Sequence, residues 1–190
     1  MATFRQAVCH LKSLSPYSQS RHHDIPKNPN ENAVDHEMRT ARKRLHTNKS
    51  GHIIIPMTAF TNSILEAAEY LSLPIPGKAR STFTKHFQAG VRVVTDLVLP
   101  LKADDAEIEA VFCHADGKRG PGPRVTRHYP RIDKWEGKVT YMITDTTITK
   151  DAFERALSAS GLLIGIGRWR PRNRGSYGMF EVSKIEWTEG

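Results

Sequence analysis

Residues 161–182 read GLLIGIGRWRPRNRGSYGMFEV. Arg168, Arg170, Arg172 and Arg174 fall within seven residues, framed by Gly165, Gly167, Gly175 and Gly178, with Trp169 and Tyr177 among them. Glycine tolerates positive φ and close backbone approach, so the stretch reads as a tight loop. Before it, TKDAFERALSASG at 149–161 carries helix signals: Thr149 as N-cap, Asp151 in the first turn and Gly161 as the C′ residue. Phe153, Ala156 and Leu157 would face the core. After it, YGMFEVSKIEW at 177–187 reads as a strand. A loop leading from helix to strand is the reverse of a Rossmann fingerprint, and no GK[ST] follows the glycines as in a Walker loop.

Working outward, TFRQAVCHLKSL at 3–14 alternates as a first strand, with Phe4, Gln6, Val8 and His10 on one face and Arg5, Ala7, Cys9 and Leu11 on the other. A long polar loop follows. Residues 34–46 place Val34, Met38, Ala41 and Leu45 at helical spacing, a narrow stripe between charged faces. GHIIIP at 51–56 is a short apolar strand. The next segment, 56–73, is a helix with Pro56 in its first turn and Phe60, Ile64, Ala68 and Leu71 on one face. Residues 74–90 suit a loop with a short helix, 91–99 a strand, 108–115 an alternating strand, and 138–144 a strand with Val139, Tyr141 and Ile143 inward. Without its insertions the order is strand, helix, strand, strand, helix, strand. That is the α+β, ferredoxin-like (RRM-like) βαββαβ arrangement, an antiparallel sheet packed by two helices. The chain reads as one domain, 1–190, with insertions at about 15–55 and 100–137.

The 190 residues carry 28 Lys+Arg against 20 Asp+Glu, a net charge of +8 that favours a polyanionic partner. Cys9 and Cys113 are the only cysteines and form no CxxC, which excludes a cysteine-rich zinc site and suits a reducing cytoplasm. No run approaches the roughly 18 apolar residues of a membrane helix, and no apolar segment follows Arg5 as in a secretory signal. A cytoplasmic protein without a membrane, cofactor or small-molecule partner is expected.

The cations suggest where a polyanion would lie. Backbone amides of a Gly-rich turn meet phosphate oxygens, arginine forks add bidentate bonds, and Trp169 or Tyr177 would offer bases a stacking surface. The bland alternative is a solvated connection, though an ordinary one is shorter and seldom holds so many arginines. A second basic stretch, DGKRGPGPRVTRHYPRIDKW at 116–135, contributes Lys118, Arg119, Arg124, Arg127, Arg131 and Lys134. Its alternation puts basic residues on both faces, which suits an arm more than a sheet. A third, RTARKRLH, adds Arg42 and Arg44, although the helix dipole favours cations there in any case.

The pattern GIG…GxYGxF at 165–180, between the second helix and the last strand, resembles the RAMP superfamily, which includes CRISPR effector backbone subunits and CRISPR-RNA processing endoribonucleases. LKSLSPYSQSR at 11–21 resembles the end of the first RAMP strand, and SGHIIIPMTAFTNSILEAA at 50–68 the entry into the first RAMP helix. Stand-alone phage proteins of this type are also similar. The resemblance implies a domain that binds single-stranded RNA or DNA, with 116–135 as a thumb laid across the strand. It also implies homo-oligomers, or filaments, along that strand.

Three functions compete. The first is non-enzymatic, backbone-tracking binding of a single strand with little sequence preference. The second is a RAMP-type endoribonuclease using His22, His23 or Asp24 of the loop SRHHDIP, where a histidine would act as base on a ribose 2′-OH. No tyrosine or lysine partner completes such a site in the sequence, no GxSxG elbow is present, and a metal set of His22, His23 and His46 is a remote option. The third is a protein-interaction module, such as a phage factor that mimics or inhibits a CRISPR complex.

Overall fold

The first strand, β1 (Arg5–Ser13), lies inside a four-stranded antiparallel sheet and buries Ala7, Cys9 and Leu11 on one face, as its alternation requires. The computed structural model describes residues 4–78, 80–115 and 122–189. Lys118 and Arg119 therefore lie outside the described residues. After β1 come β2 (Tyr17–Ser18), α1 (Ala33–Thr40), β3 (His52–Ile55), α2 (Met57–Leu71), α3 (Thr84–Gly90), β4 (Val91–Val93), β5 (Leu97–Lys102), β6 (Glu107–His114), β7 (Arg124–Ile132), β8 (Glu136–Ile143), α4 (Lys150–Ala159) and β9 (Phe180–Thr188).

The main sheet has the order β4-β8-β1-β9. Counting only its own strands in chain order, this is 2-3-1-4, all antiparallel, which is the ferredoxin-like order. Helices α2 and α4 supply the apolar faces that cover it: Phe60, Ile64 and Ala68 from α2, and Phe153, Ala156 and Leu157 from α4, are all buried. Thr149 caps α4, accepting from the Ala152 amide at 3.2 Å. Tyr17, Phe60, Trp135 and Phe180 form an edge-to-face aromatic cluster, with neighbouring centroids 5.9–6.5 Å apart. It anchors the ends of β1, β7 and β9 at one end of the sheet.

Four expectations need correction. Residues 91–99 are two strands, not one. β4 stays in the main sheet, while β5 leaves it to pair with β3. The break has a cause: Asp96 accepts the Met57 amide at 2.8 Å, and so caps the otherwise uncapped start of α2. The stripe at 34–46 is buried only in part. Val34 and Met38 are exposed, because α1 gives way at Ala41 to a 3-10 turn that turns Ala41 and Leu45 inward. Gly161 does not end α4. The helix runs on through one π turn, Ser160–Ile164, and Gly165 with φ +71° ends it. Gly161 is needed for space instead: a Cβ there would sit 2.1 Å from the Phe180 carbonyl oxygen. Finally, the basic segment forms a true sheet. β6 and β7 pair from Glu107↔Arg131 to His114↔Arg124, and β2 adds a third strand, with the Ser18 hydroxyl donating to the Pro130 carbonyl at 2.8 Å.

Candidate nucleic-acid interface

The Gly-rich loop folds closely upon itself. Gly165, Gly167 and Gly178 have φ between +70° and +73°. A Cβ on Gly178 would stand 1.8 Å from the Ile166 carbonyl oxygen, and one on Gly175 1.8 Å from that of Trp169. These glycines let two backbone segments touch. The amides of Gly165, Ile166, Arg168, Asn173, Arg174, Gly175, Tyr177 and Gly178 all donate to carbonyls of the protein, at 2.7–3.1 Å. The expected cradle of loop amides around phosphate is thus largely engaged in holding the loop's shape. Trp169 and Arg174 both adopt left-handed φ, +55° and +61°, at a cost of about 1–2 kcal/mol each.

The loop's arginines divide into different tasks. The Arg168 guanidinium is stacked between two rings, 3.2 Å from the Tyr129 centroid and 3.7 Å from that of Trp169. Burial pulls its pKa down from the usual arginine value, and its Nη1 is buried without a hydrogen-bond partner among the described residues. Arg170 and Arg172 converge on one carboxylate, Glu66 of α2, at 2.6 and 3.2 Å. Arg174 is exposed. The four arginines are therefore not one phosphate-binding row. The aromatic pair is likewise committed to packing: Trp169 and Tyr177 meet edge to face at 5.7 Å, and the Tyr177 hydroxyl donates to Glu109 of β6 at 2.9 Å. Burial, followed by that carboxylate, raises the Tyr177 pKa.

The arm is fastened in the same way. Arg127 of β7 and Arg44 both pair with Glu37 of α1, at 2.5 and 2.9 Å. Burial pushes the Glu37 carboxyl upward, but the Arg127 hydrogen bond and the Arg44 charge outweigh it and hold its pKa below the usual value. Arg44 also lies 5.0 Å from the Tyr129 ring centroid. Arg131 pairs with Asp133 at 2.7 Å, and Arg42 donates to the Ala106 carbonyl at 3.3 Å. Arg124 lies 5.9 Å from the centroid of the exposed Phe112 ring. Lys134 lines a separate, mostly apolar recess with Leu99 and Trp135.

What the loop, β2 and α2 enclose together is a cleft of about 670 Å³. Gly167, Arg168, Trp169 and Asn173 come from the loop. Gln19, Ser20 and Arg21 come from the segment after β2, His46 from the stretch before β3, and Pro56, Thr58 and Asn62 from the start of α2. No carboxylate lines it. Two guanidinium groups and a helix N-terminus without an acidic residue in its first turn make it a place for negative charge. Buried Gln19 fixes the geometry: its amide donates to the Ile54 carbonyl at 2.7 Å, and its oxygen accepts the His46 amide at 2.6 Å. His46 itself is kept neutral near pH 7, since burial and then the Arg21 charge lower its pKa.

Sequence reasoning located the Gly loop and missed Arg21, Ser20, Asn62 and Asn173. These residues carry no motif, and only the packing of three separated segments gathers them. It also missed the acids Glu37, Glu66 and Glu109, which decide how the arginines are used. The catalytic candidates do not assemble. His22 and Asp24 meet at 2.7 Å, but both are largely exposed, and His23 stands near His36 with ring centroids 6.4 Å apart. Among the described residues no group of three His, Cys, Asp or Glu side chains could hold a metal, so His22, His23 and His46 are not brought together. Among those residues, too, no helix is long and apolar enough to cross a membrane.

No family model matches the chain, and no curated protein sequence matches it. Among solved structures, the chain is similar to a subunit of the type III-B Cmr-beta complex bound to cognate target RNA, at 10% identity and a TM-score of 0.47. That match covers 98% of this chain and 61% of the other, so the chain spans about three fifths of that relative's length. It is also similar to Cmr6 from Pyrococcus furiosus, at 12% identity and a TM-score of 0.48, over 95% of this chain and 98% of the other. The ferredoxin-like strand order, with a Gly-rich loop running from the second sheet-covering helix into the last strand, is the RAMP-like fold that the sequence resembles.

Proposed function

We propose that this chain is a non-enzymatic binding protein for a single-stranded nucleic acid, and that the strand's backbone enters the cleft between the Gly-rich loop, the segment after β2 and the start of α2. One observation carries it: a 670 Å³ cleft with Arg21 and Arg168 on its walls, the N-terminal end of α2 beside it and no carboxylate. A helix N-terminus and guanidinium groups favour phosphate, and the absence of acid removes the main repulsion. RNA is the favoured polymer because of the sequence's resemblance to RAMP proteins. Self-association along the strand, in the cytoplasm, accompanies this function.

The test is binding of single-stranded RNA and DNA of equal length across a salt series. About four phosphate contacts give a log–log slope near −3. A slope of that size, lost with Arg21→Ala plus Arg168→Ala, supports the proposal. A flat salt response, or affinity unchanged in the double variant with intact circular dichroism, turns attention to a protein partner.

A further inference from the structure

The cleft holds more than charge. Asn62 projects from α2, Asn173 ends the 3-10 turn Pro171–Asn173, and both line the cleft with Ser20 and Thr58. The side chains of these residues make no hydrogen bond to another described residue. Amides elsewhere in the chain are used: Asn32 caps α1, accepting from the Asp35 amide, and the Asn48 side chain accepts the amides of Ser50 and His52. Two unpaired carboxamides facing one acid-free space are therefore a recognition feature, since a structural role would have given them partners.

We infer that the cleft takes one nucleotide of the bound strand and reads its base, with adenine preferred. The inference rests on the single-strand binding proposed above and adds a site that binding alone does not require. The volume, about 670 Å³, lies within the range of roughly 300–1,000 Å³ typical of small-ligand sites. A carboxamide presents a donor and an acceptor side by side, which matches the amino group and ring nitrogen on one edge of adenine. Cytosine's amino group is best met by a carboxylate, and none lines the cleft. Guanine is read by a free arginine fork, but the Arg168 fork is clamped between Tyr129 and Trp169. Arg21 and the unpartnered Nη1 of Arg168 then serve the phosphates on either side of the base.

The experiment uses oligouridines of about twelve nucleotides carrying one central A, C, G or U, titrated by fluorescence anisotropy at fixed salt. The expected result is binding of all four, with the single adenine tightening affinity about tenfold. In Asn62→Ala plus Asn173→Ala the four bind alike, the salt slope is unchanged and the melting temperature is retained, because both residues are exposed. Equal affinities in the wild type overturn the base-reading site while leaving single-strand binding intact. So does preference for another base, or an adenine preference that survives in the double variant. Failure to bind any of the four overturns the single-strand proposal itself and this site with it.

Discussion

The guanidinium carbon of Arg168 lies 3.2 Å from the centroid of the Tyr129 ring, so the Gly-rich loop and the β6–β7 arm meet through a stacked cation. This contact joins two segments that the sequence presents as independent basic stretches. Together with the Tyr177–Glu109 hydrogen bond and the Glu37 ion pairs, it makes the arm part of the body.

Removing the stack should loosen the arm. Tyr129→Ala deletes a cation–π contact worth about 1–2 kcal/mol where partly desolvated, along with the ring's packing. The expected outcome is a lower melting temperature and faster amide hydrogen exchange in 107–114 and 124–132 than in β1 or β8. Uniform exchange across both regions would mean the stack does not hold the arm.

Glu66 restrains two arginines. In Glu66→Gln, Arg170 and Arg172 lose their shared carboxylate at 2.6 and 3.2 Å. Stability should change by less than about 1 kcal/mol, since partly exposed ion pairs contribute little. Strand affinity at low salt should rise several-fold, with a steeper salt slope. An unchanged slope would show that neither arginine reaches phosphate once freed.

Gly178 is a position where alanine should fail. Its φ of +70° disfavours any L side chain, and a Cβ would stand 1.8 Å from the Ile166 carbonyl oxygen. Gly178→Ala should cost more than the 1–2 kcal/mol of the left-handed backbone alone. Denaturant unfolding measures it, and a cost below about 1 kcal/mol would contradict the packing described.

Acid should loosen the arm through Glu37. Its folded pKa is depressed, so its contribution to stability is present above the unfolded carboxyl value and is lost as pH falls through the folded one. Wild-type melting temperature should therefore drop below pH 5, and Glu37→Gln should start lower and follow a shallower acid limb. Parallel limbs for the two proteins would exclude Glu37 as a source of the acid sensitivity.

His22→Ala with Asp24→Ala should leave RNA both uncut and bound. The pair is largely exposed and has no neighbouring group to complete a site. A labelled RNA incubated with wild type gives the direct check. Cleavage by wild type that disappears in the variant would restore the endoribonuclease alternative.

The core elements were legible from periodicity because burial imposes it. Ala7, Cys9 and Leu11 on β1, Phe60, Ile64 and Ala68 on α2, and Thr149 before α4 behave as local pattern demands. The Gly-rich loop between α4 and β9 was equally legible, since glycines that bring backbones into contact leave a mark in sequence. Where pattern misled, a distant partner intervened. Asp96 turned the chain after β4 to cap α2, and Phe180 explains Gly161.

By itself, then, the sequence determined the ferredoxin-like core, the position of the loop and the basic charge, because each follows from local spacing or simple count. Only the tertiary structure decided what each cation does. Glu37, Glu66 and Glu109 are separated in sequence from their partners by 7 to 106 residues, and no spacing rule connects them. An arginine's role depends on whether a carboxylate, a ring or solvent lies within reach of its guanidinium. That is settled by packing, which also brought Arg21, Asn62 and Asn173 from three parts of the chain to one acid-free cleft.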